Sequence, residues 1–216
     1  MKRLLIFACS FFLTLFSALS AGAEIVGRTA EGDFIHRYLA SNGQELFFVS
    51  MEREPPVDRE DVNGDGVDDL VVYTAIGASN YFVEFFVWDG EKYVMAQHGG
   101  GALANYCVTD SGYVVSYGKN GWAGALFDDR VYAWDGTDLR LVRKMVSTNE
   151  TEESLENGYA VTWSSDTLHI SLWDYAPTEY GPEETLLWET DANLSDMESG
   201  DLYDSLYARL WEGLEN

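Results

Sequence analysis

Cysteine is scarce in this sequence, which contains only two in 216 residues. Cys9 lies within an apolar N-terminal run, so Cys107 is the only cysteine in the rest of the chain. If the N-terminal run is removed, an internal disulfide is excluded. The apolar neighbours of Cys107 favour a small buried side chain over a nucleophile. The fold must therefore be stabilised by its core, with a bound ion as a further contributor.

Basic residues are also few, with 13 Lys and Arg against 37 Asp and Glu and a formal net charge of −24. Such an excess of negative charge argues against nucleic acid and anionic membranes as partners, because both are polyanions. It favours solubility, divalent cations and basic protein partners.

Motifs of enzyme catalysis are missing as well. His36, His98 and His169 are isolated, and no H-x-H, HExxH or C-x-x-C spacing supports a zinc site. The neighbours of His36 and His169 predict partly exposed strand positions, whereas His98 precedes a glycine run that predicts a loop. There is no G-x-S-x-G elbow and no glycine-rich phosphate loop with its lysine. Only paired carboxylates remain as catalytic groups, and the sequence singles out no pair. We expect no enzyme activity.

The N-terminus predicts a secretory signal peptide over residues 1–23. Lys2 and Arg3 precede an apolar run over residues 4–19, and Ala21-Gly22-Ala23 offers a cleavage site. Its removal leaves residues 24–216 as a single β-rich domain with 11 basic and 37 acidic residues, a net charge near −26. No other stretch is long and apolar enough to predict a membrane span. We expect an extracytoplasmic protein, either secreted, on the cell surface or in the periplasm.

The rest of the chain is rich in short strands separated by Gly, Asn and Asp turns. Asn-Gly and Asp-Gly dipeptides favour tight hairpin turns, and hairpins are predicted over residues 38–51, 81–97, 105–117, 130–145 and 159–173, the last with its turn at 164–166. Three of these turns recur at a spacing of about 46 residues, a period typical of propeller blades. The expected fold is all-β, an irregular β-propeller-like arrangement of hairpins, with a curved β-sandwich as the alternative.

The C-terminal region changes to helical periodicity. Apolar side chains recur every three or four residues from about residue 201 to 214, which predicts one amphipathic helix. The stripe consists of Leu202, Tyr203, Leu206, Tyr207, Leu210, Trp211 and Leu214. Docking of this stripe on the sheet core is the first expectation, and binding of a partner is the alternative.

The most informative segment covers residues 61–69. Oxygen-bearing side chains occur at alternate positions, Asp61, Asn63 and Asp65, followed by Gly66, by Asp69 and by an apolar strand. Six acidic residues lie between Asp58 and Asp69 with only Arg59 among them, so they would repel one another strongly unless a cation sat among them. Calcium prefers six to eight oxygen ligands, at about 2.3–2.6 Å. The segment therefore predicts a calcium loop, and an acidic surface turn that binds nothing is the alternative.

The pattern D-x-N-x-D-G-x-x-D-L before a strand resembles the calcium loop of FG-GAP and integrin-α repeats over residues 61–90. It departs from an EF-hand at the twelfth position, where Val72 replaces the bidentate glutamate. The resemblance implies that Ca²⁺ is bound by the side chains of Asp61, Asn63, Asp65 and Asp69 and by the carbonyl of Val67.

The whole layout, a signal peptide, one calcium loop and an aromatic strand after it, also resembles calcium-binding periplasmic inhibitors that protect bacteria from lysozyme-like enzymes. That resemblance implies a non-enzymatic protein with a basic partner, such as a peptidoglycan hydrolase. An alternative function is a glycan- or cell-wall-binding module that uses exposed aromatic side chains. Trp122, in a glycine-rich stretch over residues 118–124, is the candidate contact residue. Packing of Trp122 on the core is the other interpretation.

Overall fold

The computed structural model of the chain describes residues 23–99, 103–121, 126–156, 159–178, 181–198 and 201–214. The predicted signal peptide therefore lies outside the described residues, apart from Ala23, and so does Trp122. The structure is 61% strand and 8% helix, which confirms the predicted all-β class.

The strands form three antiparallel sheets. Sheet 1 contains β1 (Glu24–Arg28), β2 (Phe34–Leu39) and β3 (Glu45–Ser50). Sheet 2 contains β4 (Val57–Glu60), β5 (Asp69–Ile76), β6 (Tyr81–Trp88), β7 (Tyr93–Met95) and β8 (Leu103–Ala104). Sheet 3 contains β9 (Cys107–Val108), β10 (Val114–Gly121), β11 (Leu126–Asp135), β12 (Asp138–Glu156), β13 (Tyr159–Thr178) and β14 (Gly181–Asn193). The propeller-like arrangement of these sheets stays a prediction.

The first four predicted hairpins are present, as the pairs β2–β3, β6–β7, β9–β10 and β11–β12. Their turns use the glycines that the sequence predicted. Gly43 and Gly90 have φ angles of 86° and 102°, in the left-handed region that only glycine adopts without strain. Local turn chemistry therefore determined where these strands end.

The fifth predicted hairpin is wrong. β13 runs continuously from Tyr159 to Thr178 and pairs with β12 on both sides of the predicted turn at residues 164–166. Thr151 pairs with Ser164 and Asn149 with Leu168, so the register shifts at this point. The long strand β12 offers hydrogen-bond partners to both halves of β13, and that pairing overrides the local turn preference of Ser and Asp.

The three sheets pack face to face in chain order. Sheet 1 packs on sheet 2 through residues such as Leu46 and Phe48 against Leu70 and Phe86. The rings of Phe48 and Phe86 meet edge to face, with centroids 6.2 Å apart. The opposite face of sheet 2 packs on sheet 3 through Val71, Phe85 and Val87 against Val114, Tyr132 and Leu139. Sheet 2 is therefore buried on both faces and forms the middle layer.

Two helices follow the sheets in the described part of the chain, α1 (Leu194–Glu198) and α2 (Asp201–Trp211). Helix α2 lies within the predicted range, and Leu206 and Leu210 pack on sheet 3 beside Val131 and Met145. The prediction that this stripe docks on the sheet core is confirmed. Helix α1 was not predicted, because five residues are too few to display a helical period. Among the described residues, no helix combines the length and apolarity needed to cross a membrane.

Candidate metal-binding loop

The predicted calcium loop connects β4 to β5, and Glu60 pairs with Asp69 where the two strands meet. Within it, Val62 is fully buried in the core between sheets 2 and 3. The backbone carbonyl of Val62 accepts a hydrogen bond from Trp134 Nε1 at 2.9 Å. The loop is therefore anchored to sheet 3 near its beginning, although residues 64–68 are exposed.

The carboxylate of Asp61 organises the loop. Its Oδ1 accepts hydrogen bonds from the amides of Gly64 at 2.8 Å and Asp65 at 3.0 Å, and its Oδ2 accepts one from Gly66 at 2.9 Å. The chain can turn around one carboxylate because Gly64 and Gly66 have φ angles of 76° and 87°. Three backbone donors that would otherwise need water are thus satisfied by a single side chain.

The next two predicted ligands continue the same arrangement. Asn63 Oδ1 accepts a hydrogen bond from the amide of Asp65 at 3.0 Å, and Asn63 Nδ2 donates to Asp65 Oδ2 at 3.1 Å. Asp65 Oδ1 in turn accepts from the amide of Val67 at 2.8 Å. The alternation seen in the sequence therefore brings Asp61, Asn63 and Asp65 together, with their oxygens directed towards the loop backbone.

Val67 and Asp68 lie on the outer part of the loop, and both side chains are exposed. The backbone carbonyl of Asp68 accepts a hydrogen bond from the Tyr93 hydroxyl at 3.3 Å. The Asp68 side chain therefore faces solvent.

Asp69 differs from the other predicted ligands because it is fully buried. Its Oδ1 accepts a hydrogen bond from the amide of Trp88 at 2.8 Å, and its Oδ2 accepts one from the amide of Val62 at 3.3 Å. Asp69 thereby connects the loop to the end of β6. The structure gives this side chain a clear structural role that the sequence pattern did not reveal.

The ionisation of Asp69 is also perturbed. Burial raises the pKa of its carboxyl to about 6, while the hydrogen bonds from Trp88 and Val62 oppose the rise. The negative charges of Asp65 and Asp61 raise this pKa further. A cation bound beside these carboxylates would remove that repulsion and lower the pKa of Asp69.

Within the residues that the structure describes, no group of three or more His, Cys, Asp or Glu side chains is arranged to hold a metal ion. The predicted ligands also include an amide oxygen, of Asn63, and a backbone carbonyl, of Val67. Calcium binding by Asp61, Asn63, Asp65, Val67 and Asp69 therefore stays a prediction, with three members gathered in the loop and Asp69 directed to the neighbouring strand.

Two acidic residues beside the loop have partners that the sequence did not indicate. The Tyr106 hydroxyl donates to Glu60 Oε2 at 2.6 Å, and the Tyr73 hydroxyl is hydrogen-bonded to Asp58. Burial raises the pKa of both tyrosines, which keeps them protonated as donors. Of the six acidic residues counted in the sequence, Asp58 and Glu60 are thus hydrogen-bonded to tyrosines, and Asp69 is buried in the core. The charges that remain within the loop are those of Asp61, Asp65 and Asp68.

The three histidines have separate environments. His36 is fully buried, with Nε2 3.0 Å from the carbonyl oxygen of Glu52 and its ring stacked on Phe48, so its predicted exposure is wrong. The inward position follows from the sheet 1 register, which places His36 opposite Phe48. His98 Nε2 lies 3.1 Å from Glu84 Oε2, and His169 is exposed as predicted, near Asp191.

Comparisons with protein-family models, with characterised proteins and with solved structures found no match. The resemblance to FG-GAP loops accordingly rests on residues 61–90 alone.

Proposed function

We propose that this chain is an exported, non-enzymatic protein whose loop at residues 61–69 binds calcium and whose acidic surface binds a basic protein partner. The observation that supports calcium binding is the arrangement of Asp61, Asn63 and Asp65, whose side chains are already ordered by the loop backbone. An ordered ligand set loses little conformational entropy when an ion arrives. Calcium would also offset the repulsion among Asp61, Asp65 and Asp69.

Calcium in this proposal stabilises the middle layer of the fold. Asp69 and Val62 join the loop to sheets 2 and 3, so an ion in the loop would strengthen the connection between β5, β6 and Trp134. Binding to the folded chain alone adds about 2.7 kcal/mol to the free energy of unfolding when free calcium exceeds its dissociation constant a hundredfold.

The protein-partner part of the proposal is supported by charge. A chain with 37 acidic and 13 basic residues attracts basic proteins over long distances, which raises association rates at low ionic strength. The partner implied by the family resemblance is a peptidoglycan hydrolase, and the chain would act as its inhibitor.

The test of calcium binding is thermal unfolding and titration calorimetry with calcium and with chelator, on wild type, Asp65→Asn and Asp68→Asn. Asparagine at position 65 keeps an acceptor for the Val67 amide but removes the charge. We expect calcium to raise the Tm of wild type and of Asp68→Asn, and to raise that of Asp65→Asn much less. In chelator the three proteins should unfold at similar temperatures.

Asp68→Asn is the matched control, because it removes the same charge from the same loop at an exposed position. Equal calcium responses in all three proteins would mean that calcium acts on the general negative charge. No calorimetric heat in wild type would end the calcium proposal.

A further inference from the structure

The outward-facing side of sheet 1 carries apolar side chains where an exposed sheet face normally carries polar ones. In β3 the inward residues Leu46, Phe48 and Ser50 are buried. The outward residues Phe47 and Val49 remain 53% and 45% exposed, and Met51, just after the strand, is 67% exposed. A strand buried on one face only is expected to alternate apolar and polar residues.

The pairing register extends this feature across two strands. Ile35 of β2 lies opposite Val49, and Leu39, which is 54% exposed, follows on the same face. Gly27 of β1 lies opposite Ile35, and because glycine has no Cβ it does not cover the Ile35 side chain. We call this surface the outer face, and it consists of Ile35, Leu39, Phe47, Val49 and Met51. Clustered exposed apolar residues of this kind mark interaction surfaces.

Charge at the outer face is negative. Arg37 lies opposite Phe47, within the face, and its guanidinium is paired with both Glu24 and Glu45. The two carboxylates therefore more than neutralise the charge of Arg37. Both glutamates remain largely exposed and can pair with a basic group that approaches from outside.

We infer that the outer face of sheet 1 binds a partner protein through an element that has an apolar surface bordered by Lys or Arg. The apolar part would cover Phe47, Val49 and Met51, and the basic border would meet Glu24 and Glu45. A second copy of this chain fits poorly, because a symmetric contact would press this face, with Glu24 and Glu45, against an identical acidic face. Each copy also carries a net charge of −24.

This inference deepens the protein-partner part of the proposed function, but it does not depend on the calcium loop. The outer face lies on sheet 1, whereas the loop joins two strands of sheet 2. Measurements in calcium and in chelator therefore separate the two proposals. Loss of calcium binding with peptide binding retained would remove the first proposal only.

The experiment uses the full chain and two synthetic amphipathic helical peptides, one of Leu and Lys and one with every Lys replaced by Glu. Binding is measured by titration calorimetry for wild type, for the double variant Phe47→Thr, Val49→Thr, and for Leu186→Thr, Leu187→Thr. The last variant removes two exposed apolar side chains from β14, far along the chain from sheet 1. Circular dichroism and Tm confirm that each variant is folded.

We expect the Leu-Lys peptide to bind wild type and the β14 variant equally, and to bind the outer-face variant about tenfold more weakly or worse. The Leu-Glu peptide should not bind, and Glu24→Gln, Glu45→Gln should weaken binding of the Leu-Lys peptide. Equal affinity of wild type and the outer-face variant, or no binding to wild type, would overturn the inference.

Other occupants of the outer face give distinct results. Sedimentation of wild type as a dimer that the Phe47→Thr, Val49→Thr variant converts to a monomer would assign the face to a second copy. Protection of Phe47 and Met51 from carbene footprinting in the isolated monomer would mean that the chain itself covers the face. Either result would contradict binding of a basic partner there.

Discussion

The two ends of the sheet stack differ in how far the described residues of the chain cover them. On sheet 3, helix α2 covers Val131 and Met145 with Leu206 and Leu210. On sheet 1, the described residues place no element over the outer face, and Phe47 and Met51 remain exposed. One outer layer is thus closed by the chain, and the other presents apolar side chains to its surroundings.

The closed end is secured by polar contacts as well as by burial. Arg143 is buried on β12, and its Nη1 donates to the carbonyls of Leu210 at 3.1 Å and Glu212 at 2.8 Å. These carbonyls lie at the end of α2, where backbone acceptors have no partner within the helix. Arg143 Nε also donates to Asp174 at 3.1 Å. The helix is therefore fixed in position, with Leu206 and Leu210 of its apolar stripe buried against sheet 3.

The comparison shows that apolar composition alone does not distinguish a covered face from a binding face. Both ends display apolar residues at the period of their element. The outermost layer of a stack generally needs a polar outer face, because an exposed apolar face binds other molecules. In this protein α2 covers the apolar outer face of sheet 3, and we propose that a partner covers that of sheet 1.

The largest expected effect is at the closed end. Leu210→Ala should lower the free energy of unfolding by about 2–5 kcal/mol, because Leu210 is only 1% exposed and its removal leaves a cavity. Leu39→Ala makes the same change at the open end and should cost less than about 0.5 kcal/mol. Urea unfolding of both variants measures the difference. Similar losses would show that the two ends are equally covered.

The second prediction concerns Asp129, which is buried on β11 and lines a small cavity with Tyr207, Leu206 and Leu210 of α2. Burial raises the pKa of its carboxyl to about 7, with Asp128 adding to the rise and Lys119 opposing it. The folded state therefore retains this proton when the unfolded state has lost it. This contribution to stability is present at pH 4 and is lost as the pH rises to about 7.

Asp129→Asn should remove that loss, which in wild type reaches at most about 1.4 kcal/mol per pH unit over this range. The measurement is the free energy of unfolding from pH 4 to pH 8. Asp204→Asn, which removes an exposed charge from α2, should keep the wild-type slope. If the Asp129 variant kept the wild-type dependence of the free energy of unfolding on pH, the carboxyl of Asp129 would not have the raised pKa given above.

The third prediction concerns Asp69, in the middle layer. Both carboxylate oxygens of Asp69 accept backbone amides, but asparagine has only one acceptor oxygen. Asp69→Asn should therefore cost about 1–3 kcal/mol by leaving the Val62 or Trp88 amide without an acceptor. Chemical denaturation in chelator measures this cost without calcium. An unchanged stability would mean that the hydrogen bond lost in this variant contributes nothing.

The smallest expected effect is at the open end. Phe47→Thr should change the free energy of unfolding of the isolated chain by less than about 0.5 kcal/mol, because Phe47 is exposed and threonine suits a strand. Calorimetric melting measures the change. A loss above about 1 kcal/mol would show that Phe47 is packed in the isolated protein, and the contrast between the two ends would disappear.

Local sequence signals predicted much of the fold. Gly43 and Gly90 located hairpin turns because few other residues adopt a left-handed backbone without strain. The period of Leu206 and Leu210 located α2 because an apolar stripe must be buried. The alternation of Asp61, Asn63 and Asp65 predicted side chains gathered in one loop, and they do gather there.

Other features depend on residues that are distant in the sequence. The Ser164–Asp166 segment reads locally as a turn but lies within a strand, because β12 pairs with it on both sides. Asp69 reads as a fourth ligand of the loop but accepts a hydrogen bond from Trp88, 19 residues away. His36 is buried because pairing with Phe48 turns it towards sheet 2.

The sequence by itself determined the all-β class, the first four hairpins, helix α2 and the ordered acidic loop, because each is signalled by residues that lie close together in the chain. Tertiary structure alone decided which acids keep their charge in the loop, since Tyr73, Tyr106 and Trp88 come from other strands. It also decided which apolar surface is covered. Burial is set by what packs against a face, and the residues of that face do not specify it.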